Sequence, residues 1–351
     1  MASEAVEIVA GGRSVRVSSP SRVIFPATER TTEITKLEVA QFYLDVEDGL
    51  MRALRNRPTT LERWPKGVLA GMKLSTAGST GDAFYQKRVP RGAPPFLETA
   101  RINFPSGREA NEVCPTEIAS VAWAAHMGTI TFHPWPVRRD RPDHPDELRI
   151  DLDPQPGTDF HDAVRVASEL RTLLDEIGIT GYPKTSGNRG VHVFIRIEPR
   201  WTFVDVRHAA IALGRELQRR SNGVTMNWWK EERGANIFVD VNQNCRDRTM
   251  ASAYSLRSIA GAPVSTPVTW EELNDVKDPR DFNLHTVPSR LAEIGDPHAT
   301  IDDVEHSLDT LLAWWERDLR NGLGEMPFPP DYPKMPGEPP RVQPSRARRK
   351  T

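Results

Sequence analysis

The sequence predicts an α/β (α+β) protein: an RRM-like sheet bearing the reactive residues, joined to an N-terminal α/β subdomain. Three observations predict it. Between residues 148 and 241, apolar segments of period 2 and period 3.6 succeed one another in a β-α-β-β-α-β-like order, that of an open sheet of the RRM or ferredoxin type. Before them, a capped helix stands among short strand-like pieces rich in turn residues. The chain is also long, 351 residues with 38% hydrophobic, so it can bury a core without staples. Its two cysteines, Cys114 and Cys245, share no C-x-x-C or Cys/His spacing, which excludes a disulfide scaffold and a structural zinc site.

Taken in order, residues 15–17 read as a short strand and 18–26 as turns. Thr35-Lys36-Leu37-Glu38 has capping-box spacing and opens a helix to about Arg55, with Leu37, Ala40, Tyr43 or Leu44, Leu50 and Leu54 on its buried side. Residues 57–115 read as irregular, full of Gly and Pro, with strand-like pieces such as 83–87. Residues 116–126 read as helix, and 129–133 alternate like a strand. A charged, proline-broken loop at 137–147 leads to the strand 148–153, ended by Pro154 and Gly157. Asp159 caps a helix carrying Val164, Ala167, Leu170, Leu174 and Ile177, closed by Gly178. The turn 186–190 enters a strand at 191–197, a helix follows at about 204–220, then a strand at 237–241, and a last helix spans about 302–320.

The formal net charge of −2 excludes a uniformly basic, histone-like protein. The 46 cations divide into 37 Arg and 9 Lys. Arg is the better planar fork for phosphate, although a base-composition bias produces the same ratio. Residues 1–30 lack the apolar run of a signal peptide, and no stretch approaches the roughly 20 apolar residues of a membrane helix. The expectation is a cytoplasmic protein with no membrane partner. From Pro327 prolines crowd the chain, and Arg341, Arg346, Arg348, Arg349 and Lys350 close it, which reads as an extended basic tail.

Asp151 and Asp153 flank Leu152 near a strand end, so both carboxylates point one way while Leu152 enters the core. Two carboxylates held together on a rigid sheet repel unless a cation sits between them, which suits Mg²⁺ or Mn²⁺. Asp240 lies on another apolar strand, with Phe238 on its face and Ile237, Val239 and Val241 on the other. If the two strands are neighbours, three carboxylates converge, enough to hold two divalent ions for in-line displacement at phosphorus. The plainer reading makes Asp153-Pro154 a strand-ending turn and Asp240 a solvated residue.

The segment between them, Thr185-Ser186-Gly187-Asn188-Arg189-Gly190-Val191-His192, combines a hydroxyl, two glycines, an Arg and a His at a turn entering a strand. Glycines let backbone amides approach an anion, and Ser, Arg and His can donate to phosphate oxygens. Arg233, Gln243, Arg246, Arg248 and Arg257 surround the third aspartate. Cations around clustered acids make sense where a metal-bound triphosphate must be neutralised from both sides.

These residues carry a family resemblance. The ordered set I-D-L-D-P (150–154), S-G-N-R-G-V-H (186–192), F-V-D-V-N-Q-N (238–244) and A-Y-S-L-R (253–257) resembles the archaeo-eukaryotic primase superfamily, and more narrowly the polymerase domain of bacterial ligase D, the end-joining repair polymerase. V-I-F-P-A-T (23–28), R-W-P-K-G (63–67), A-F-Y-Q-K (83–87), A-P-P-F-L (93–97) and T-F-H-P-W (131–135) extend the likeness over about 15–320. Lacking a K-x-D-G ligase motif, the chain is similar to a stand-alone relative such as mycobacterial primase-polymerase C. The resemblance implies a primase fold in one composite polymerase domain: 1–115 as the N-terminal α/β subdomain with DNA-contacting elements, 116–325 as the RRM-like catalytic subdomain, and 326–351 as the tail.

Carried over, the resemblance implies that Asp151, Asp153 and Asp240 bind two catalytic ions, usually Mn²⁺. It implies that His133, Ser186, Arg189, His192, Arg233, Gln243 and Arg257 contact the incoming nucleotide. Phe84 and Tyr85 match an aromatic pair that stacks at the template, with Lys87 beside them. Relatives recognise a downstream 5′-phosphate through two N-terminal lysines. Arg22 matches the first, but the second falls at about Glu33, leaving Arg30 and Lys36 to compensate, and a further basic position becomes Glu62. Acid for base weakens phosphate attraction and adds repulsion, so tight 5′-phosphate docking depends on Arg30 or Lys36 compensating.

The reading that follows is a monomeric, nucleoid-associated, DNA-dependent primase-polymerase. It fills short gaps in end joining or excision repair, adding NTP or dNTP, preferably ribonucleotides, to a primer 3′-OH on gapped or broken DNA. A DNA ligase and Ku are the partners implied by analogy with end joining. The rivals are a primase that starts chains de novo, a metal-dependent nuclease, and a non-catalytic DNA gap- or end-binding protein.

Overall fold

The computed structural model describes residues 4–75, 80–103, 109–328, 342, 344 and 345. Strands β1 (Ala5–Ala10) and β2 (Arg13–Ser18) form an antiparallel hairpin, and β3 (Val23–Phe25) pairs with β4 (Ile34–Thr35). Helix α1 (Lys36–Asp45) starts as its capping box predicts: the Thr35 side chain accepts from the Glu38 amide, and Glu38 accepts from the Thr35 amide at 2.7 Å. The single helix expected to about Arg55 is two, because the chain turns at Val46 before α2 (Glu47–Leu54). That break places Glu47 and Asp48 in a new first turn, where the helix dipole favours acids.

The stretch 57–115, irregular by composition, holds β5 (Thr59–Arg63), β6 (Phe84–Gln86), β7 (Thr99–Asn103) and β8 (Glu109–Val113). Runs this short carry too few alternations for a period-2 signal, and their pairing across the sheet makes them strands. Helix α3 (Ile118–His126) and strand β9 (Thr129–Pro134) follow; β5 pairs antiparallel with β6, β8 and β9, and β7 with β8. Val39, Ala40 and Tyr43 of α1 share a core with Ile118, Ala122 and Phe132, so α3 and β9 pack with the N-terminal sheet.

The second sheet contains β10 (Glu147–Pro154), β11 (Tyr182–Thr185), β12 (Val191–Arg196), β13 (Val224–Thr225) and β14 (Ile237–Val239), in the order β11-β12-β10-β14-β13. Helices α4 (Phe160–Glu176) and α5 (Phe203–Arg220) cover one face. Leu148, Ile150 and Leu152 enter that core, which turns Arg149, Asp151 and Asp153 to the opposite face. The strand expected to run to Val241 ends at Val239. Asp240 instead begins a 3₁₀ turn, its Oδ1 accepting from the Asn242 amide at 3.0 Å.

Strands β15 (Ser255–Leu256) and β16 (Val264–Ser265) and helices α6 (Trp270–Asp275), α7 (Val287–Ile294) and α8 (Asp309–Arg320) complete the chain. The last helix starts at Asp309 rather than near 302, where Ser307 Oγ accepts from the Asp309 amide. Leu256, Val264 and Val287 return to the first core, tying the two sheets together. Of the tail, Phe328 is buried under Arg207, whose guanidinium lies 3.9 Å from its ring centre, and Pro344 accepts from the Lys230 amide at 2.9 Å. Arg341, Arg346, Arg348, Arg349 and Lys350 lie outside the described residues. Among those residues, no helix is long and apolar enough to cross a membrane.

Candidate active site

Strand register assembles the acidic centre. Strand β10 pairs with β14 so that Leu152 faces Val239 and Asp153 faces Phe238. One step further, Asp240 meets Asp151, and the Asp240 amide donates to the Asp151 carbonyl at 2.9 Å. On its other side β10 pairs with β12, where Asp151 faces His192, with Nε2 3.4 Å from Oδ1. Burial raises the Asp151 carboxyl well above the usual range, and the charges of Asp240 and Asp153 raise it further. Asp153 is also raised, by burial and by Asp240, against the pull of Arg189 and Gln155.

A set of acids that pushes one another's proton affinity up is relieved by a cation, and in that respect the three residues fit divalent metal. Among the described residues, however, no three acid, imidazole or thiol groups form a ready coordination cluster. Each carboxylate is engaged locally instead. Asp240 Oδ2 accepts from Gln243 at 3.0 Å, and Asp153 Oδ2 accepts from Gln155 at 3.2 Å.

A cleft of about 300 Å³ lies beside them, lined by Asp153, Asp240, Arg233, Phe238, Gln243 and Arg248. Arg233 is held over the Phe238 ring, 3.4 Å from its centre, and donates to the Asn227 carbonyl at 3.1 Å. In the turn after β11, Ser186 Oγ accepts from the amides of Asn188 and Gly190, so its own proton is left to donate. Gly187 adopts φ +73°, and a Cβ there would fall 2.5 Å from Arg257 Cγ, so only glycine lets Arg257 lie against the turn. Arg189 is exposed beside Asp153.

His133 is buried, and its Nε2 donates to Glu62 at 3.0 Å. Glu62 also accepts from the Trp64 indole at 2.8 Å and from the Ser258 hydroxyl. Burial raises the Glu62 carboxyl, but these three donors outweigh it and bring it to about 2. Burial keeps His133 below its ordinary value, so the pair is a neutral imidazole on a carboxylate. Expected as a charge repelling phosphate at the surface, Glu62 instead braces a residue of the expected nucleotide set. Lys184, which the sequence reading passed over, stands fully buried behind His192, 2.9 Å from its Nδ1. Only cross-strand register identifies it.

The residues expected on the DNA side separate into two groups. Phe84 and Tyr85 are exposed on β6, 37% and 46%, rather than packed in the core, with Tyr85 edge-on to His133 at 5.5 Å. Lys87 follows them, also exposed. Arg22 is exposed and donates to the Pro65 carbonyl at 3.0 Å. Lys36 lies close enough to be affected by it, with Nζ on the Ser18 carbonyl at 2.8 Å, and burial and Arg22 lower it to about 8. Arg30 does not join them. Its guanidinium is paired with Asp278 at 2.8 Å and Asp281 at 2.7 Å.

A family profile described as LigD, primase-polymerase domain, matches residues 35–298, three quarters of the chain and all of the acidic row. The chain belongs to this family. Its members are nucleotidyltransferases of the archaeo-eukaryotic primase fold. The multifunctional non-homologous end joining protein LigD of Pseudomonas aeruginosa is 32% identical over 88% of this chain, and that of Mycolicibacterium smegmatis 30% identical over 91%. The chain spans 35% and 40% of the lengths of those two proteins. The polymerase domain of Mycobacterium tuberculosis ligase D, solved in complex with DNA, superposes with a TM-score of 0.72 at 26% identity, covering 83% of this chain and 99% of that one.

Proposed function

We propose that this LigD-family domain is a DNA-dependent primase-polymerase that fills short gaps in DNA repair, adding nucleotides, preferably ribonucleotides, to a primer 3′-OH. The observation that carries the reading is the convergence of Asp151, Asp153 and Asp240 at adjoining strand ends, with Asp153 and Asp240 lining a cleft they share with Arg233 and Arg248. Mn²⁺ or Mg²⁺ ions held by those aspartates would neutralise the triphosphate and acidify the primer hydroxyl, in keeping with the divalent-metal dependence of the family. Arg189, Arg233 and Arg257 neutralise the triphosphate from the side away from the acids, while Ser186 and His192 donate to its oxygens. Gln243, now bonded to Asp240, exchanges that contact for the nucleotide.

Template and primer lie along β6, where the exposed Phe84 and Tyr85 offer π-faces tolerant of any base, beside Lys87. Arg22 and Lys36 form the basic pair for a downstream 5′-phosphate, and Arg30, already paired, contributes little. The relatives are named for non-homologous end joining, and a filled gap ends in a nick. A ligase must therefore follow, with Ku the partner at a broken end.

The test is extension on gapped duplexes with and without a 5′-phosphate, comparing NTPs with dNTPs in Mn²⁺ and Mg²⁺. Asp151→Ala with Asp153→Ala should abolish incorporation while DNA binding persists; full activity in that variant overturns the reading. Synthesis on a single-stranded template without primer would make the protein a de novo primase instead.

A further inference from the structure

We propose that Lys184 is a positioning residue that fixes the imidazole of His192 with its Nε2 proton facing the nucleotide site. The inference rests on the reading of that site given above. Lys184 faces His192 in the pairing of β11 with β12, and His192 faces Asp151 in the pairing of β12 with β10. With Asp240 beyond Asp151, four residues form one row across three strands and the turn that follows β14. Directly opposed cross-strand side chains are the closest neighbours a sheet provides, so each member bears on the next.

The hydrogen-bond inventory gives the direction. Lys184 is fully buried, which with Arg257 lowers its proton affinity well below the ordinary value, while Asp151 and Glu147 oppose that shift; held as the ammonium, it has donors only. Ser265 spends its hydroxyl proton on the Thr185 carbonyl at 3.0 Å, so its oxygen accepts from Lys184. The Phe194 ring lies 5.2 Å beneath Nζ and parallel to the His192 ring, closing a third side. The remaining neighbour is His192 Nδ1 at 2.9 Å. A donor there makes Nδ1 an acceptor, which places the ring proton on Nε2, 3.4 Å from Asp151. With the other tautomer, two donors would oppose each other at Nδ1, and Nε2 would turn a lone pair on the carboxylate and on any phosphate oxygen.

Three measurements test it. Long-range ¹H–¹⁵N spectra of the wild-type protein should report His192 with its proton on Nε2; a proton on Nδ1 overturns the proposal without any variant. In Lys184→Met that spectrum should change, and the dissociation constant for ATP with Mn²⁺, read by calorimetry, should rise about tenfold, with KM rising more than kcat falls. Lys184→Gln, which keeps a donor, should lie nearer the wild type. Combined with His192→Ala, Lys184→Met should add nothing further; additive losses would mean Lys184 acts by another route. If His192→Ala leaves ATP affinity unchanged, the nucleotide-site reading itself fails. If His192→Ala weakens ATP and a folded Lys184→Met does not, only the positioning role fails.

Discussion

Glu62 and His133 are diagonal neighbours across β5 and β9, joined by a 3.0 Å hydrogen bond from Nε2 to a carboxylate oxygen. Because Trp64 and Ser258 donate to the same carboxylate, Glu62 ties β5, β9 and the segment after β15 at one point beside the expected nucleotide site. Its bond to Nε2 leaves Nδ1 of a neutral ring as an acceptor. That is the polarity needed to receive a sugar hydroxyl rather than a phosphate oxygen.

Glu62→Gln replaces an ionised acceptor with an amide that can offer His133 a donor. The expected result is a five- to tenfold fall in kcat/KM with ribonucleotides, from about 1–1.5 kcal/mol of lost charge-assisted bonding, and a smaller fall with deoxynucleotides. Single-turnover extension with matched NTP and dNTP measures it. Equal losses for both sugars would place Glu62 in support of the fold alone.

Asp151→Asn should stabilise the metal-free protein. Burial, Asp240 and Asp153 raise the Asp151 carboxyl, so its stability contribution is complete at low pH and is lost as the pH rises through the raised value. At neutral pH the amide removes that cost, and each kcal/mol relieved raises the melting temperature by about 2–4 °C. Differential scanning calorimetry in EDTA should show the gain. Added Mn²⁺ should then raise the melting temperature of the wild type and not that of the variant.

Glu112 supplies a second pH signature. Its carboxyl is fully buried, with one oxygen on the Trp135 indole at 3.0 Å, and burial raises it to about 7. The folded protein therefore holds a proton that the unfolded chain releases near its ordinary value, and stability falls as the pH climbs from about 4.5 to about 7. Over that window the loss amounts to about 3 kcal/mol. Glu112→Gln keeps the carbonyl for Trp135 and should flatten this part of a urea-midpoint profile. An unchanged slope would assign the dependence to other groups.

Arg57 sits fully buried where the two sheets meet, donating to Asp146 at 2.9 Å and pairing with Glu147 at 2.9 Å. Arg57→Met leaves two buried acids to Arg138, Arg149 and Arg196, and should cost about 3 kcal/mol by chemical denaturation. Mutating both acids as well should deepen that loss, because Arg149 and Arg196 are buried on the same two acids and an unpaired buried charge is the expensive state.

Much of this architecture is written locally in the sequence. The alternation of Leu148, Ile150 and Leu152 already places Asp151 and Asp153 on the face away from the helices, because side chains in a strand alternate sides. Thr35 and Asp159 announce the helices they cap, since a side-chain oxygen three residues ahead of a free amide is a local property. Of the short strands β5 to β8 only β6 was legible, in the strand-like piece 83–87; the others were not, because pairing rather than their own pattern makes them strands. What only the tertiary structure decided is which distant residues meet. Register between strands far apart in the chain follows from how their apolar faces pack, and it aligns Lys184, His192, Asp151 and Asp240 in a row. Packing likewise draws Glu62 under His133 and ties Arg30 to Asp278, two outcomes that residue type alone would have reversed.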